Sequence, residues 1–307
     1  MKKKIFVIGI GGLLGYNIAK KAQKKYKVYG SYNFRNPKLN FVNSFKLDLV
    51  DFEKTNHIIR KIQPNVIINA AAISNVDYCE KNQKECEKIN VELVQNLTNL
   101  SQDLGTKLVH ISSDSVFDGE KNKPYNENDD SNPINVYGKT KLESEKIVLK
   151  NQKNLIVRAS VLYGWLPDKI STINSSSMKS MNFAQWLIKE LEENKKIQIV
   201  TDEFSSPILA DDFAKSILHL IEKDLNGIFH SGPEISINRF EFSKSIAKIL
   251  EFNLDLILPT TIKELGRKVS TGKNKALNSQ KLVNTDFKFL TLNESLMVLK
   301  EQIMNKH

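Results

Sequence analysis

Tyr137 and Lys141 stand four residues apart in the stretch Asn135-Val136-Tyr137-Gly138-Lys139-Thr140-Lys141, a spacing that stacks both side chains on one face of a helix. A phenol beside an ammonium is an acid/base pair. The positive charge favours phenolate, so the tyrosine is expected to titrate below its ordinary value of about 10 and to exchange a proton near neutral pH. Such pairs also recur on solvated helices without a function, so the elements that would hold this one decide its meaning.

The apolar run Ile5-Phe6-Val7-Ile8 reads as a strand, and Gly9-Ile10-Gly11-Gly12-Leu13-Leu14-Gly15 follows it at once, leading into a helix-compatible stretch from Tyr16 to Lys25. Strand, glycine turn and helix in this order form a dinucleotide site, because glycines permit the tight turn and the close approach of backbone to a pyrophosphate. The anion then sits at a helix N-terminus, where N–H groups and dipole favour negative charge. The spacing here is Gly9-x-x-Gly12-x-x-Gly15 rather than the common G-x-G-x-x-G.

Strand and helix signals then alternate: a strand at Lys27-Val28-Tyr29-Gly30-Ser31, a helix from Phe52 to Ile62, a strand at Asn65-Val66-Ile67-Ile68-Asn69, a long helix from Glu85 to Leu104, and a strand at Lys107-Leu108-Val109-His110-Ile111. Alternation of this kind implies a parallel sheet covered on both faces, with ligands gathered at the carboxyl ends of its strands. Small or polar residues stand there, Ala70-Ala71-Ala72 after one strand and Ser112-Ser113-Asp114 after the next. The fold expected is an α/β, Rossmann-type, doubly wound parallel sheet with a smaller C-terminal substrate-binding lobe. Residues 1–165 would form the dinucleotide-binding domain, its sheet completed by segments around 196–225, and 166–307 mainly the lobe.

With 307 residues, 40% of them hydrophobic, the chain can bury a large core. Its net charge of +10 raises the question of nucleic acid. The distribution argues against it: Lys20, Lys21, Lys24, Lys25 and Lys27 read as the solvated face of the first helix, and the other lysines are scattered among acids and asparagines. The positive balance suits an anionic cofactor or a phosphorylated substrate. Cys79 and Cys86, seven apart in an apparently helical stretch, fit neither a disulfide framework nor a metal-ligand cluster, so no metal is expected and a reducing cytoplasm is the default location. No apolar run approaches a membrane span, and Met1-Lys2-Lys3-Lys4 runs straight into the first strand rather than a signal sequence. After the second strand, Ser31-Tyr32-Asn33-Phe34-Arg35 offers no acid for a ribose 2′-hydroxyl but does offer Arg35 for a 2′-phosphate. NADP(H) is therefore preferred, with NAD(H) as the alternative.

Taken together, Gly9-x-x-Gly12-x-x-Gly15, Asp48-Leu49, Asn69-Ala70-Ala71-Ala72, Ser112-Ser113-Asp114-Ser115-Val116-Phe117-Asp118-Gly119 and Tyr137-x-x-x-Lys141 resemble an extended short-chain dehydrogenase/reductase. Arg158-Ala159-Ser160-Val161-Leu162-Tyr163-Gly164 and Gly227-Ile228-Phe229-His230-Ser231-Gly232 extend the resemblance over nearly the whole chain, toward the dTDP-4-dehydrorhamnose reductase branch, which also includes the non-catalytic regulatory subunit of methionine adenosyltransferase. The resemblance implies Tyr137 as proton donor to a substrate carbonyl. It gives Lys141 the task of depressing the tyrosine's pKa and binding the nicotinamide ribose, and Ser113, where the family usually has Thr, the task of orienting the carbonyl. It implies cofactor contacts at Gly9, Gly11, Gly12, Leu13, Leu14, Gly15, Arg35, Asp48, Leu49, Ala70, Ala71 and Ala72, besides Tyr137 and Lys141. Substrate contacts are expected at Ser74, Ser115, Val116, Phe117 and Val161.

Departures from the family bear on substrate. Ser115 stands where tyrosine is usual and Val161 where tryptophan is usual, and Thr271-Gly272-Lys273-Asn274-Lys275 replaces an Arg-Pro-x-Asn-Ser pattern, so Lys273 and Lys275 would face a diphosphate only as point charges. The expected function is reduction of a 4-keto-6-deoxy nucleotide-sugar, as in dTDP-rhamnose and polysaccharide biosynthesis. A nucleotide-sugar epimerase and a cofactor-binding regulatory subunit are the alternatives, and a homodimer is an open expectation. The serine-rich segment 171–182 reads either as a substrate lid or as a passive insertion.

Overall fold

The computed structural model describes residues 2–167 and 181–305. At its centre is a seven-stranded parallel sheet. In chain order its strands are β1 (Lys4–Ile8), β2 (Lys27–Tyr32), β3 (Val42–Lys46), β4 (Val66–Asn69), β5 (Lys107–Ser113), β6 (Leu155–Ala159) and the strand Gly227–Ser231. Across the sheet Gly227–Ser231 lies at one edge, followed by β6, β5, β4, β1, β2 and β3. The strand order therefore reverses between β1 and β4, the switch point at which open α/β sheets bind ligands.

Alternate side chains of β1 explain the two layers of core. Ile5 and Val7 point to a cluster with Leu14 and Ile18 of helix α1 (Leu13–Ala22) and with Phe213 and Ile217 of the helix Ala210–Glu222. Phe6 and Ile8 point the other way, to Ile59 of α2 (Phe52–Ile62) and to a helix in the 93–103 region that carries Leu93 and Leu97. β4 and β6 are buried at every residue, as a sheet covered on both faces requires. A third core, with Tyr163, Leu187, Ile188, Phe242, Ile246 and Leu296, belongs to the C-terminal lobe.

Several expectations change in detail. The first helix ends at Ala22, so Lys24 and Lys25 lie in a turn beyond it. β3 went unread because its sequence, VNSFK, is polar and buries only Val42 fully, as suits an edge strand. Segment 196–225 does not complete the sheet: Ile197–Val200 pairs with Ile257–Thr260 in a separate two-stranded sheet, and the seventh strand begins at Gly227. The helix expected from Glu85 to Leu104 is broken into α4 (Gln83–Glu87), a π turn at Lys88–Glu92 and α5 (Leu93–Asp103).

The reading of Cys79 and Cys86 as unsuited to a disulfide is overturned, because the structure pairs them. On one straight helix seven residues would separate them by about 10 Å along the axis. Instead α3 (Val76–Lys81) stops, Asn82 leaves the helical region at φ −128°, ψ 54°, and α4 starts in a new direction, bringing the two Cα atoms to 5.6 Å. Among the described residues no helix is long and apolar enough to cross a membrane, and no cluster of potential metal ligands occurs. The serine-rich stretch lies outside the described residues except for Met181 and Asn182, the latter capping the helix Phe183–Glu192.

Candidate active site

The glycine turn closes on itself through the Gly12 N–H and Gly9 carbonyl at 3.0 Å, and α1 starts with Gly12 as its N-cap. No side chain caps this terminus and its first turn carries no acid, so its N–H groups face outward for an anion. A side chain at Gly15 would put Cβ 2.2 Å from the Gly9 carbonyl oxygen, so only glycine lets α1 pack this closely on the turn. The Arg35 main chain lies equally close over Gly11, which places this arginine beside the turn, and burial lowers its pKa from the ordinary guanidinium value. Ala70 and Ala71, just past β4, lie against Gly9. Leu13 borders Gly164, while Leu14 is packed in the first core and Leu49 in the second. Asp48 is exposed just past β3, where it accepts from the Val50 N–H at 3.2 Å.

Ser113 ends β5, and the helix α6 (Val136–Val148) carries Tyr137 in its first turn. Asn135 caps α6 by accepting from the Gly138 N–H at 2.8 Å. A Cβ on Gly138 would lie 2.1 Å from the Ser115 carbonyl oxygen, so this glycine sets how closely the helix approaches the serine turn. The sequence showed Gly138 inside the motif without revealing that role, because the contact is with a residue distant in the chain. The Ser113 hydroxyl lies close enough to the Tyr137 phenol to lower its pKa. Ser113 Oγ also donates to Asp114 Oδ1 at 3.1 Å, and Ser160 Oγ donates to Asp114 Oδ2 at 2.8 Å.

The electrostatics differ from the expectation. Burial pushes the Tyr137 phenol up to about 12; the hydrogen bond to Ser113 opposes this and the Asp114 carboxylate reinforces it. The Lys141 nitrogen is turned to His110 Nε2 at 2.9 Å and donates to the Ile111 carbonyl at 2.7 Å. Burial drives the Lys141 pKa down to about 7, with Glu145 acting in the opposite sense. Four residues of spacing put both side chains on one helix face, but the direction of the longer chain was set by β5 beneath it.

Past Ser113, Ser115 is buried beside Asp114, and Lys275 reaches both: its Nζ donates to Ser115 Oγ at 3.3 Å and lies 3.8 Å from Asp114 Oδ1. Lys275 thus fills the space beside Ser115, while Lys273 lies elsewhere, lining a cleft of about 440 Å³ with Asp202, Lys263 and Thr271. Val116 and Phe117 do not present side chains to a ligand; both are fully buried, Phe117 stacked on Tyr125 with the Arg158 guanidinium over its ring. Val161 and Ser74 are half-buried in loops after β6 and β4. Behind Lys275 lies Glu203, ion-paired to Arg239 at 3.5 Å and to Arg267. Burial raises the Glu203 pKa, but Arg239, Arg267 and Lys275 together outweigh it and hold the carboxyl below its usual range.

Residues 3–303 match the family described as RmlD substrate binding domain. The chain belongs to this family. Its fold superposes on the crystal structure of dTDP-4-dehydrorhamnose reductase from Bacillus anthracis in complex with NADP, with TM-score 0.85 and 28% identity, over 98% of this chain and 100% of the other. Two sequence relatives are similar at comparable distance. The probable low-salt glycan biosynthesis reductase Agl14 of Haloferax volcanii is 27% identical over 275 residues, 89% of each chain. Methionine adenosyltransferase 2 subunit beta of Bos taurus is 30% identical over 269 residues, 84% of this chain and 75% of that one. As a member of the RmlD family the protein is by class an oxidoreductase of the extended short-chain dehydrogenase/reductase type.

Proposed function

We propose that this protein is an NADP(H)-dependent reductase of a 4-keto-6-deoxy nucleotide-sugar, with Tyr137 donating the proton to the carbonyl oxygen. The observation that carries this reading is the approach of the Tyr137 phenol to the Ser113 hydroxyl at the end of β5, in the same fold as a glycine turn that leads into an uncapped helix N-terminus. The residues present fit the dinucleotide. The N-terminus of α1 would hold the pyrophosphate, Arg35 the 2′-phosphate, and Ala70 and Ala71 a flat face beside the turn. Bound there in reduced form, the nicotinamide supplies hydride.

The chain's own groups supply orientation and the proton. Ser113 Oγ gives its one proton to Asp114 Oδ1 in the free protein and would turn it to a substrate carbonyl on binding, fixing the carbonyl's angle. Tyr137 keeps its proton in the free protein, as a proton donor must, and becomes acidic enough to give it up as charge develops on the carbonyl oxygen. Lys275 is a cation beside Ser115, suited to a polar or charged substituent rather than to stacking on an aromatic ring.

The test is a screen of 4-keto nucleotide-sugars by loss of NADPH absorbance, repeated with Tyr137→Phe. That substitution is expected to lower kcat about 10²–10⁴-fold with NADPH affinity retained. Activity unchanged in Tyr137→Phe removes Tyr137 as donor. The likeness to methionine adenosyltransferase 2 subunit beta supports a second reading, a cofactor-binding subunit of a larger assembly. NADPH binding without turnover of any keto-sugar nucleotide, together with copurification of a partner enzyme, would favour it.

A further inference from the structure

Lys141 is turned toward His110, and His110 is built into the sheet to receive it. The imidazole lies on β5 three residues before Ser113, with no exposed surface. Its Nε2 is 2.9 Å from Lys141 Nζ, while the Ile111 carbonyl accepts from the same nitrogen at 2.7 Å. An ammonium has three N–H groups. Two are directed into the sheet, which leaves one for an acceptor on the ligand side.

The surroundings of His110 are fixed as well. Asn69 Oδ1 accepts from the Ala71 N–H at 3.2 Å, so the amide nitrogen of Asn69 faces His110 Nδ1, 3.4 Å away. Ser144 Oγ lies 3.0 Å from Nε2 and donates its own proton to the Lys141 carbonyl at 2.7 Å. Burial, reinforced by the Lys141 charge, keeps the imidazole neutral, its pKa well below the usual 6.5. A neutral imidazole offers one N–H and one lone pair. With the lone pair at Nε2 it accepts from the ammonium form of Lys141, but Nδ1–H then faces the Asn69 amide nitrogen, which offers no acceptor. With the proton at Nε2 it matches the amine form, and Nδ1 then accepts from Asn69.

We propose that His110 is a positioning residue for Lys141, anchoring its nitrogen through Nε2 so that it is held at a fixed place beside β5. This rests on the reading of Tyr137 as proton donor. The other charged groups around Lys141 are accounted for. Glu145 on α6 is bound to Arg158 of β6 at 2.6 Å, Asp114 is held by Ser113, Ser160 and Lys275, and Glu80 of α3 accepts from the Val136 N–H at 2.8 Å.

Two substitutions separate anchoring from packing. His110→Gln keeps a polar atom near the Nε2 position, whereas His110→Asn keeps one only near Nδ1. Each is compared with the unsubstituted protein for kcat and KM on a 4-keto nucleotide-sugar, for NADPH affinity by fluorescence from about pH 6 to about 9, and for thermal stability. His110→Asn is expected to lower kcat about tenfold or more at neutral pH with substrate KM little changed, and to displace the titration set by Lys141 by about one unit, because the buried nitrogen has lost its partner at Nε2. His110→Gln should recover most of both.

His110→Asn indistinguishable from the unsubstituted protein overturns the proposal. So does His110→Gln losing as much as His110→Asn, which would make His110 a packing residue. If the unsubstituted protein reduces no keto-sugar nucleotide, the functional reading fails on its own, and the pH dependence of NADPH affinity still decides the role of His110: identical curves for His110→Asn and the unsubstituted protein reject it.

Discussion

Around Gly11 and Gly15 the walls of the site are main chain, whereas around Ser115 they are charged side chains. At the first end a carbonyl oxygen stands where any Cβ would fall, and nothing near it can rotate away. At the second, Glu203 is paired with both Arg239 and Arg267 and feels the charge of Lys275, which itself lies 3.8 Å from Asp114. A wall of backbone should tolerate no change, and a chain of ion pairs should lose stability in proportion to how many partners a removed group leaves uncompensated.

The largest expected effect is at the backbone wall. Gly15→Val would drive a branched side chain into the Gly9 carbonyl, already 2.2 Å from an ideal Cβ. α1 must then move off the turn, at a cost of about 3 kcal/mol or more. NADPH binding should fall below detection by fluorescence titration, and the thermal midpoint should drop. A variant that keeps both would show that this end is held by something other than close backbone contact.

Next in size is Glu203→Gln, which removes a buried carboxylate and leaves Arg239 and Arg267 facing a neutral amide. Breaking such a pair costs up to about 3–5 kcal/mol when fully buried, and about 2 kcal/mol is expected here because Arg267 is partly solvated. Urea denaturation at neutral pH measures it. The Glu203 pKa is depressed in the folded protein, so its stabilising contribution is complete above the unfolded carboxylate value and disappears as pH falls through the lower folded value. The stability gap between the two proteins should therefore narrow from about pH 5 toward pH 3. A gap that is constant over that range would mean the carboxylate's charge is not what matters.

These two ends were unequally legible in the sequence, and for the same reason that they respond differently. Backbone contact requires glycine, and Gly9, Gly11, Gly12 and Gly15 stand within seven positions, so the turn, the first strand and the helix could be read together. The ion chain joins residues 114, 203, 239, 267 and 275, which no local pattern connects. Helix spacing correctly placed Tyr137 and Lys141 on one face but could not tell that His110, on a strand 31 residues earlier, would draw the lysine inward. Cys79 and Cys86 were misread because a continuous helix was assumed, and the break at Asn82 has no proline or glycine to announce it. The edge strand β3 was missed for want of apolar residues, although its place beside β2 follows from the topology.

The smallest effect should come from Ser115→Ala. Lys275 Nζ loses one hydrogen bond, at 3.3 Å, but keeps Asp114 at 3.8 Å and the field of Glu203, so no charge is left alone. A cost of about 1 kcal/mol or less follows, within the ordinary net value of a hydrogen bond. The Ser113 hydroxyl accepts from the Ser115 backbone N–H, which the substitution retains, so kcat should change little while the KM for a keto-sugar nucleotide shifts as Lys275 is freed to turn. If Ser115→Ala instead destabilises the protein as much as Glu203→Gln, the charged end is as rigid as the glycine end. The contrast between a wall of backbone and a redundant chain of ion pairs would then be lost.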